Sequence, residues 1–206
     1  MASEPTTGSL RELTRDDCLH QPYYCEENVW QLCELIRHQE ETDLTKFYVT
    51  FISNKNRTIP LWCQRIQPEG YVVWDYHVLL IEGRGCDSLA YDLDTTLPFP
   101  VALSTYFEQA IRDDTNLKPL YKRHCRLVRA DVFQRVFSSD RRHMKHAENG
   151  DWLQPPPPWP PIWQQSNGHN LQSFYTFPHS ELLDGLECVY VVRSSDLTDW
   201  FHSFQK

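Results

Sequence analysis

A single-domain α+β fold, with a mixed and mainly antiparallel sheet flanked by helices, is what the sequence predicts. Three features carry that prediction. Residues Glu26 to Gln39 place apolar side chains at helical spacing. Tyr71 to Glu82 is a long aromatic and β-branched run followed by glycines and a returning strand. A last strand and helix close the chain beyond a proline segment. The chain has 206 residues, of which 40% are hydrophobic and 13% aromatic, enough for a real core in one domain. Its 7 Trp, 10 Tyr and 10 Phe argue against intrinsic disorder.

Taken in order, residues 1 to about 20 are polar and mixed in sign and read as a mobile lead-in; 21–206 form the domain. In the first helix Val29, Cys33 and Ile36 recur on one face, which Trp30 and Leu32 widen. Glu26 and Glu27 stand in its first turn and Arg37 and His38 near its end, matching the helix dipole. Lys46 to Ser53 alternates Phe47, Val49 and Phe51 as a strand, and Ile59 to Ile66 is a weaker strand. After Tyr71 to Glu82, Gly83 and Gly85 mark a turn, and Ser88 to Leu93 returns to complete an antiparallel hairpin. Short helices are expected over Ser104 to Arg112 and Asp131 to Phe137, with a strand from Cys125 to Arg129 between them. Pro155 to Pro158, Trp159 and Pro160 to Pro161 form a polyproline-like surface excursion at 155–161. A strand from Glu187 to Arg193 and a helix from Ser194 to Phe204, with Asp196 near its start, end the chain.

Composition also excludes. A formal net charge of −8 gives no general attraction to phosphate backbones, so no nucleic acid partner is expected. The longest aliphatic stretch, Val78 to Ile81, is far too short to span a bilayer, and MASEPTTGSL has no signal-peptide character. No membrane association and a cytoplasmic address follow as expectations, with a monomer as the expected state. Seven cysteines without a C-x-x-C pair read as free thiols in a reducing compartment.

Three local signals point to chemistry. Cys25 falls where the first helix begins, where the dipole and unpaired N–H groups favour a thiolate and can bind a developing oxyanion. A cysteine there is more often a packing residue, a part that Cys33 plays better from the apolar face. His77 lies inside the strongest strand, either as a core histidine with a polar partner or as a general base held by a carboxylate. Asp92 and Asp94 follow on the returning strand, and a hairpin closed near Gly83 to Asp87 brings Asp92 back toward the level of His77. The two aspartates share a strand parity, so the pattern does not choose between them. Together, a helix-start thiol, a strand imidazole and a following carboxylate are the parts of a Cys-His-Asp hydrolase. Their chain order resembles that of the papain-like and transglutaminase-like group.

Longer strings are more specific. PYYCEENVWQLCE, VTFISN, WDYHVLLIE, YDLDTTLPFP, FSSDRRHMK and NGDWLQPPPPWPPI resemble the family of protein N-terminal glutamine amidohydrolases. The resemblance runs from about Tyr23 through the proline segment, and more weakly to the last strand and helix. It implies Cys25 as nucleophile, His77 as base and Asp92, the first aspartate of Tyr-Asp-Leu-Asp, as third member. It further implies deamidation of a glutamine side chain at a free protein or peptide N-terminus, giving glutamate and ammonia and feeding an N-degron route, with a nuclear fraction beside the cytoplasmic one. No metal and no cofactor are required.

Such a substrate needs a site for its α-ammonium group. Glu26, Glu27 and Asp75 adjoin the catalytic positions and are candidates, though both glutamates also suit a helix N-terminus. Tyr23, Tyr24, Trp74 and Tyr76 are candidate pocket walls, though strand aromatics more often belong to the core. Two other functions compete: a cysteine protease or transglutaminase with the same triad, and a binding module whose prolines dock to an SH3 or WW domain. Against the latter stands a rigid loop with Trp159 or Trp152 packed on the body. His143 and His146 beside Asp140 make a poor metal site, because Arg141, Arg142 and Lys145 crowd them.

Overall fold

The computed structural model describes residues 13–39 and 42–203. In chain order its strands are β1 (Phe47–Ser53), β2 (Ile59–Gln64), β3 (Gln67–Trp74), β4 (Tyr76–Glu82), β5 (Leu89–Tyr91), β6 (Val101–Ala102), β7 (His124–Arg129) and β8 (Val189–Arg193). The helices are α1 (Cys25–Arg37), α2 (Leu103–Tyr106), α3 (Ala130–Val136), α4 (Leu171–Tyr175) and α5 (Leu197–His202). Six strands form one antiparallel sheet in the order β6-β5-β4-β1-β7-β8, and β2 and β3 form a separate ribbon. The predicted α+β class, with its mainly antiparallel sheet and flanking helices, is the observed one.

The two central strands explain the layering. β1 and β4 are buried along their whole length and pair from Phe47↔Glu82 to Ser53↔Tyr76. Because side chains alternate, Val49, Phe51, Val78 and Leu80 face one side and pack on Val29, Leu32, Cys33 and Ile36 of α1, with Phe133 and Phe174. Tyr48, Ile52, Leu79 and Ile81 face the other, against Tyr106, Ile111 and Phe201. His77 stands opposite Ile52, which puts an imidazole on this second, otherwise apolar, face.

Several elements depart from expectation. The run Tyr71 to Glu82 is not one strand. It breaks at Asp75, whose carboxylate accepts from the Tyr76 N–H (2.9 Å) and whose carbonyl accepts from the Ser53 hydroxyl (2.7 Å). The half before the break pairs with β2, from Ile59↔Trp74 to Gln64↔Gln67. β2 stops at Gln64 after a register shift at Cys63, which has a positive φ of 54°. The helix expected over Ser104 to Arg112 is one α turn followed by a π-helical turn, Phe107–Ile111. The last helix opens with a tight turn, Ser194–Asp196, before α5; Phe204 lies outside the described residues. β8 begins at Val189, and β6 and α4 are additions. Of the predicted lead-in, residues 1–12 are outside the described residues. From residue 13 the chain is held: Leu13 is buried, and Arg15 donates to the carbonyls of Thr95 (2.9 Å) and Leu97 (2.6 Å).

The proline excursion packs back on the body. Glu27, fully buried in the first turn of α1, takes both ends of the Arg141 guanidinium at 2.7 Å and the Trp159 indole N–H at 3.0 Å. Arg141 also donates to the carbonyls of Pro157 and Trp159, and the Tyr24 hydroxyl to that of Gln154 (3.2 Å). Trp159 is thus the inward tryptophan, while Trp152 lies outside with Lys145 over its ring. Removing one partner of a buried ion pair strands the other. Glu27→Ala is therefore expected to cost about 3–5 kcal/mol, read as a lowered urea midpoint with an unchanged slope.

Candidate active site

The site forms where the sheet has a gap. β5 pairs with β4 only along Leu80–Glu82, so Tyr76 to Leu79 have no strand on that side. The start of α1 comes in from the first face and sets the Cys25 sulfur next to Val78, with its thiol 3.7 Å from Oε2 of Glu26. From the second face His77, next to Val78 in the chain, sets its Nε2 3.1 Å from Oδ2 of Asp92. The two are close enough for an ion pair, although the ring N–H is not aimed straight at the oxygen. Extending the ladder from Leu80↔Tyr91 puts Asp92 across from Leu79, on the His77 face and one diagonal step away.

Asp92 is fixed on its far side. Its Oδ2 accepts from the Tyr106 hydroxyl (2.7 Å) and its Oδ1 from the Asp94 N–H (2.9 Å). Its neighbour Asp94 turns elsewhere, with Oδ1 2.7 Å from Nε2 of His20. The choice that strand parity left open is therefore made by geometry: Asp92 faces the imidazole. Trp74 stacks on His77 with ring centroids 6.4 Å apart and gives its indole N–H to Gln64 (3.1 Å).

The electrostatics differ sharply between the thiol and the imidazole. Burial pushes Cys25 well above the ordinary thiol range, the charges of Glu26, Asp94 and Asp75 push the same way, and the Val78 N–H opposes. The helix start alone does not make a resting thiolate here; the thiol needs a proton acceptor. Burial would lower His77, but the charges of Asp92 and then Asp94 outweigh it, and its pKa is raised above 6.5. Asp92 is held below 3.8: burial raises it, and the His77 charge and the Tyr106 hydroxyl overcome that.

A cavity of about 310 Å³ opens over Cys25. Tyr23, Trp74, Asp75, Tyr76 and Asp94 wall it from the N-terminal half; Arg57, His143, Met144, Leu153 and Tyr175 complete it. Tyr76 stacks on Tyr175 at 4.7 Å, and Arg57 bonds Asp75 at 2.7 Å. Of the predicted binding and wall residues, Tyr23, Trp74, Asp75 and Tyr76 line this cavity. Glu26 lies fully buried behind it, accepting from the Tyr76 hydroxyl (3.0 Å) with His143 3.3 Å away. Tyr24 is fully buried and bonded to the proline segment, and does not line the cavity. Tyr106, Arg57, His143, Leu153 and Tyr175 carry no local signal in the sequence, because each arrives by long-range packing. Among the described residues no group of three or more His, Cys, Asp or Glu side chains is arranged to hold a metal ion.

A cysteine at a helix start, a buried imidazole–carboxylate pair and a small cavity above the sulfur fit the chemistry of a thiol hydrolase. Comparison with known proteins narrows this class. The family model described as N-terminal glutamine amidase matches residues 20–201, and the chain belongs to that family. The proteins named Protein N-terminal glutamine amidohydrolase in Homo sapiens and Bos taurus are each 44% identical over 162 residues, covering 78% of this chain and 78% of theirs. The protein of that name in Drosophila ananassae is 39% identical over 193 residues, 92% of this chain and 90% of its own.

The His77–Asp92 pair gives a signed pH expectation. The raised imidazole contributes stability that is full below its unfolded value near 6.5 and is lost as pH rises through its folded value. The lowered carboxylate contributes stability present above 3.8 and lost as pH falls through its folded value. In Asp92→Asn the larger supporting charge is gone and burial prevails, so His77 should titrate below 6.5 instead of above it; imidazole NMR resonances followed against pH check this.

Proposed function

We propose that Cys25, His77 and Asp92 act together in hydrolysing the side-chain amide of an N-terminal glutamine through a thioester. The protein is an amidohydrolase that converts glutamine at the N-terminus of proteins and peptides to glutamate, releasing ammonia. The observation that carries the mechanistic reading is the position of the Cys25 sulfur. It lies on a cavity wall at the start of α1 and next to Val78, whose chain neighbour His77 carries the imidazole that Asp92 faces.

The steps follow from the groups present. His77 takes the thiol proton as the sulfur attacks the amide carbon, because the negative surroundings of Cys25 disfavour a standing thiolate. The oxyanion is held by N–H groups at the opening of α1. Intrahelical bonds there begin with Glu27 and Asn28 donating to the Tyr24 carbonyl, which leaves the N–H groups of Cys25 and Glu26 ahead of the ladder. The imidazolium passes its proton to the departing ammonia as the C–N bond breaks, leaving a γ-glutamyl thioester. His77 then draws a proton from water, whose oxygen displaces the sulfur, and returns it to the thiol. Asp92, steadied by Tyr106, keeps the imidazole oriented and stabilises its charged form.

Purified protein incubated with a peptide bearing N-terminal glutamine should raise the peptide mass by about one unit and release one ammonia per turnover. Cys25→Ala should abolish both. Ammonia release at the parent rate from Cys25→Ala would sink the thioester route, and peptide cleavage or amine cross-linking would point to the rival enzyme classes. Asp92→Asn should lose about four orders of magnitude in kcat, as in triads where that change was made.

A further inference from the structure

An N-terminal glutamine differs from an internal one by its α-ammonium group. Covalent geometry holds that group within about 5 Å of the amide carbon that Cys25 attacks. Four carboxylates surround Cys25, and their partners separate them. Glu27 is taken up by Arg141 and Trp159. Glu26 lies behind the cavity wall, holding the Tyr76 hydroxyl. Asp75 reaches the cavity, but Arg57 donates to one of its oxygens at 2.7 Å and the Tyr76 N–H to the other at 2.9 Å. Asp94 reaches the cavity too, and its one ion-pair partner among the described residues is His20, which is neutral unless protonated. Of the two that reach the cavity, Asp75 is paired with an arginine, whereas Asp94 makes no ion pair with one among the described residues.

Its place in the fold agrees with this. A second cavity, of about 430 Å³, adjoins the first and is lined by His20, Pro22, Arg65 and Ile66. Tyr23, Trp74 and Asp94 line both cavities and so form their common wall. A peptide with its first side chain over Cys25 and its second residue in the outer cavity has its first α-carbon at that wall. Asp94 is the charged group there. It is also near enough for its charge to act on both Cys25 and His77.

We propose that the Asp94 carboxylate binds the substrate α-ammonium group and so restricts the reaction to chain-terminal glutamine. This rests on the amidohydrolase reading above. A substrate without that cation, whether acetylated or internal, leaves Asp94 desolvated and unpaired, and the loss acts on binding more than on the bond-breaking steps.

A cycle that changes both partners tests it. Parent protein and Asp94→Asn are each assayed with a glutamine peptide and with its des-amino analogue, in which hydrogen replaces the α-ammonium group. Removing the cation from the substrate should lower kcat/KM of the parent on the order of 100-fold, mostly through KM. Asp94→Asn should suffer a similar loss on the normal peptide and little further loss on the analogue. Independent, multiplying losses would overturn the assignment, as would the same coupling appearing in Asp75→Asn. If Asp94→Asn folds poorly, Asp94→Glu supplies the same cycle at smaller amplitude. A folded parent that releases no ammonia from the normal peptide overturns the amidohydrolase reading itself; an active parent with uncoupled losses overturns Asp94 alone.

Discussion

The hydrogen-bond ladder between β4 and β5 ends at Leu80↔Tyr91, and the arrangement of the site depends on where it ends. Had the ladder run to the start of β4, a strand would cover the Val78 N–H and Asp92 would be an ordinary sheet residue. Because it stops, the start of α1 can bring the Cys25 sulfur up to Val78, whose backbone opposes the upward push of burial on the thiol. The same divergence lets Asp92 swing toward His77 and hand its second oxygen to the Asp94 N–H. Cys25, on a helix, and His77, on a strand, thus lie on opposite faces of the sheet and approach the same stretch of its edge.

Burial raises the Cys25 pKa most, and the charges of Glu26, Asp94 and Asp75 raise it further. Negative charge thus acts differently on the two side chains: Glu26, Asp94 and Asp75 hold the proton on the thiol, while Asp92 and Asp94 raise the basicity of the imidazole. These surroundings therefore disfavour a permanently charged sulfur. An unreacted thiol in this state is also poorly exposed to adventitious oxidation, since thiolate is the reactive form.

Much of the frame was legible from the chain alone. α1 could be read because Val29, Cys33 and Ile36 repeat with the helical period, and the β4–β5 hairpin because two glycines punctuate a β-branched run. That hairpin brings both Asp92 and Asp94 toward the level of His77 in the sequence pattern, and only the family resemblance chooses Asp92. The break at Asp75 was not legible: aromatic residues continue on both sides of it, and the reason for it is a bond to Ser53, far away in sequence. Tyr106, His143 and Tyr175 reach the site only through the packing of α2, of the loop after α3 and of α4, for which local pattern holds no information. Tyr24 shows the converse: its neighbour Cys25 drew attention to it, yet the side chain belongs to the core.

The bond from Glu27 to Arg141 and Trp159 joins the opening turn of α1 to chain more than a hundred residues downstream. The cavity wall likewise waits for Leu153 and Tyr175. During synthesis from the N-terminus, Cys25 emerges early, while Arg141, Leu153, Trp159 and Tyr175, which brace α1 or wall the cavity, emerge late. Contacts of such long sequence separation form late because the loop between them must close first. A nascent or C-terminally shortened chain accordingly has its thiol but no enclosed site, so competence arrives in one step, with completion of the fold.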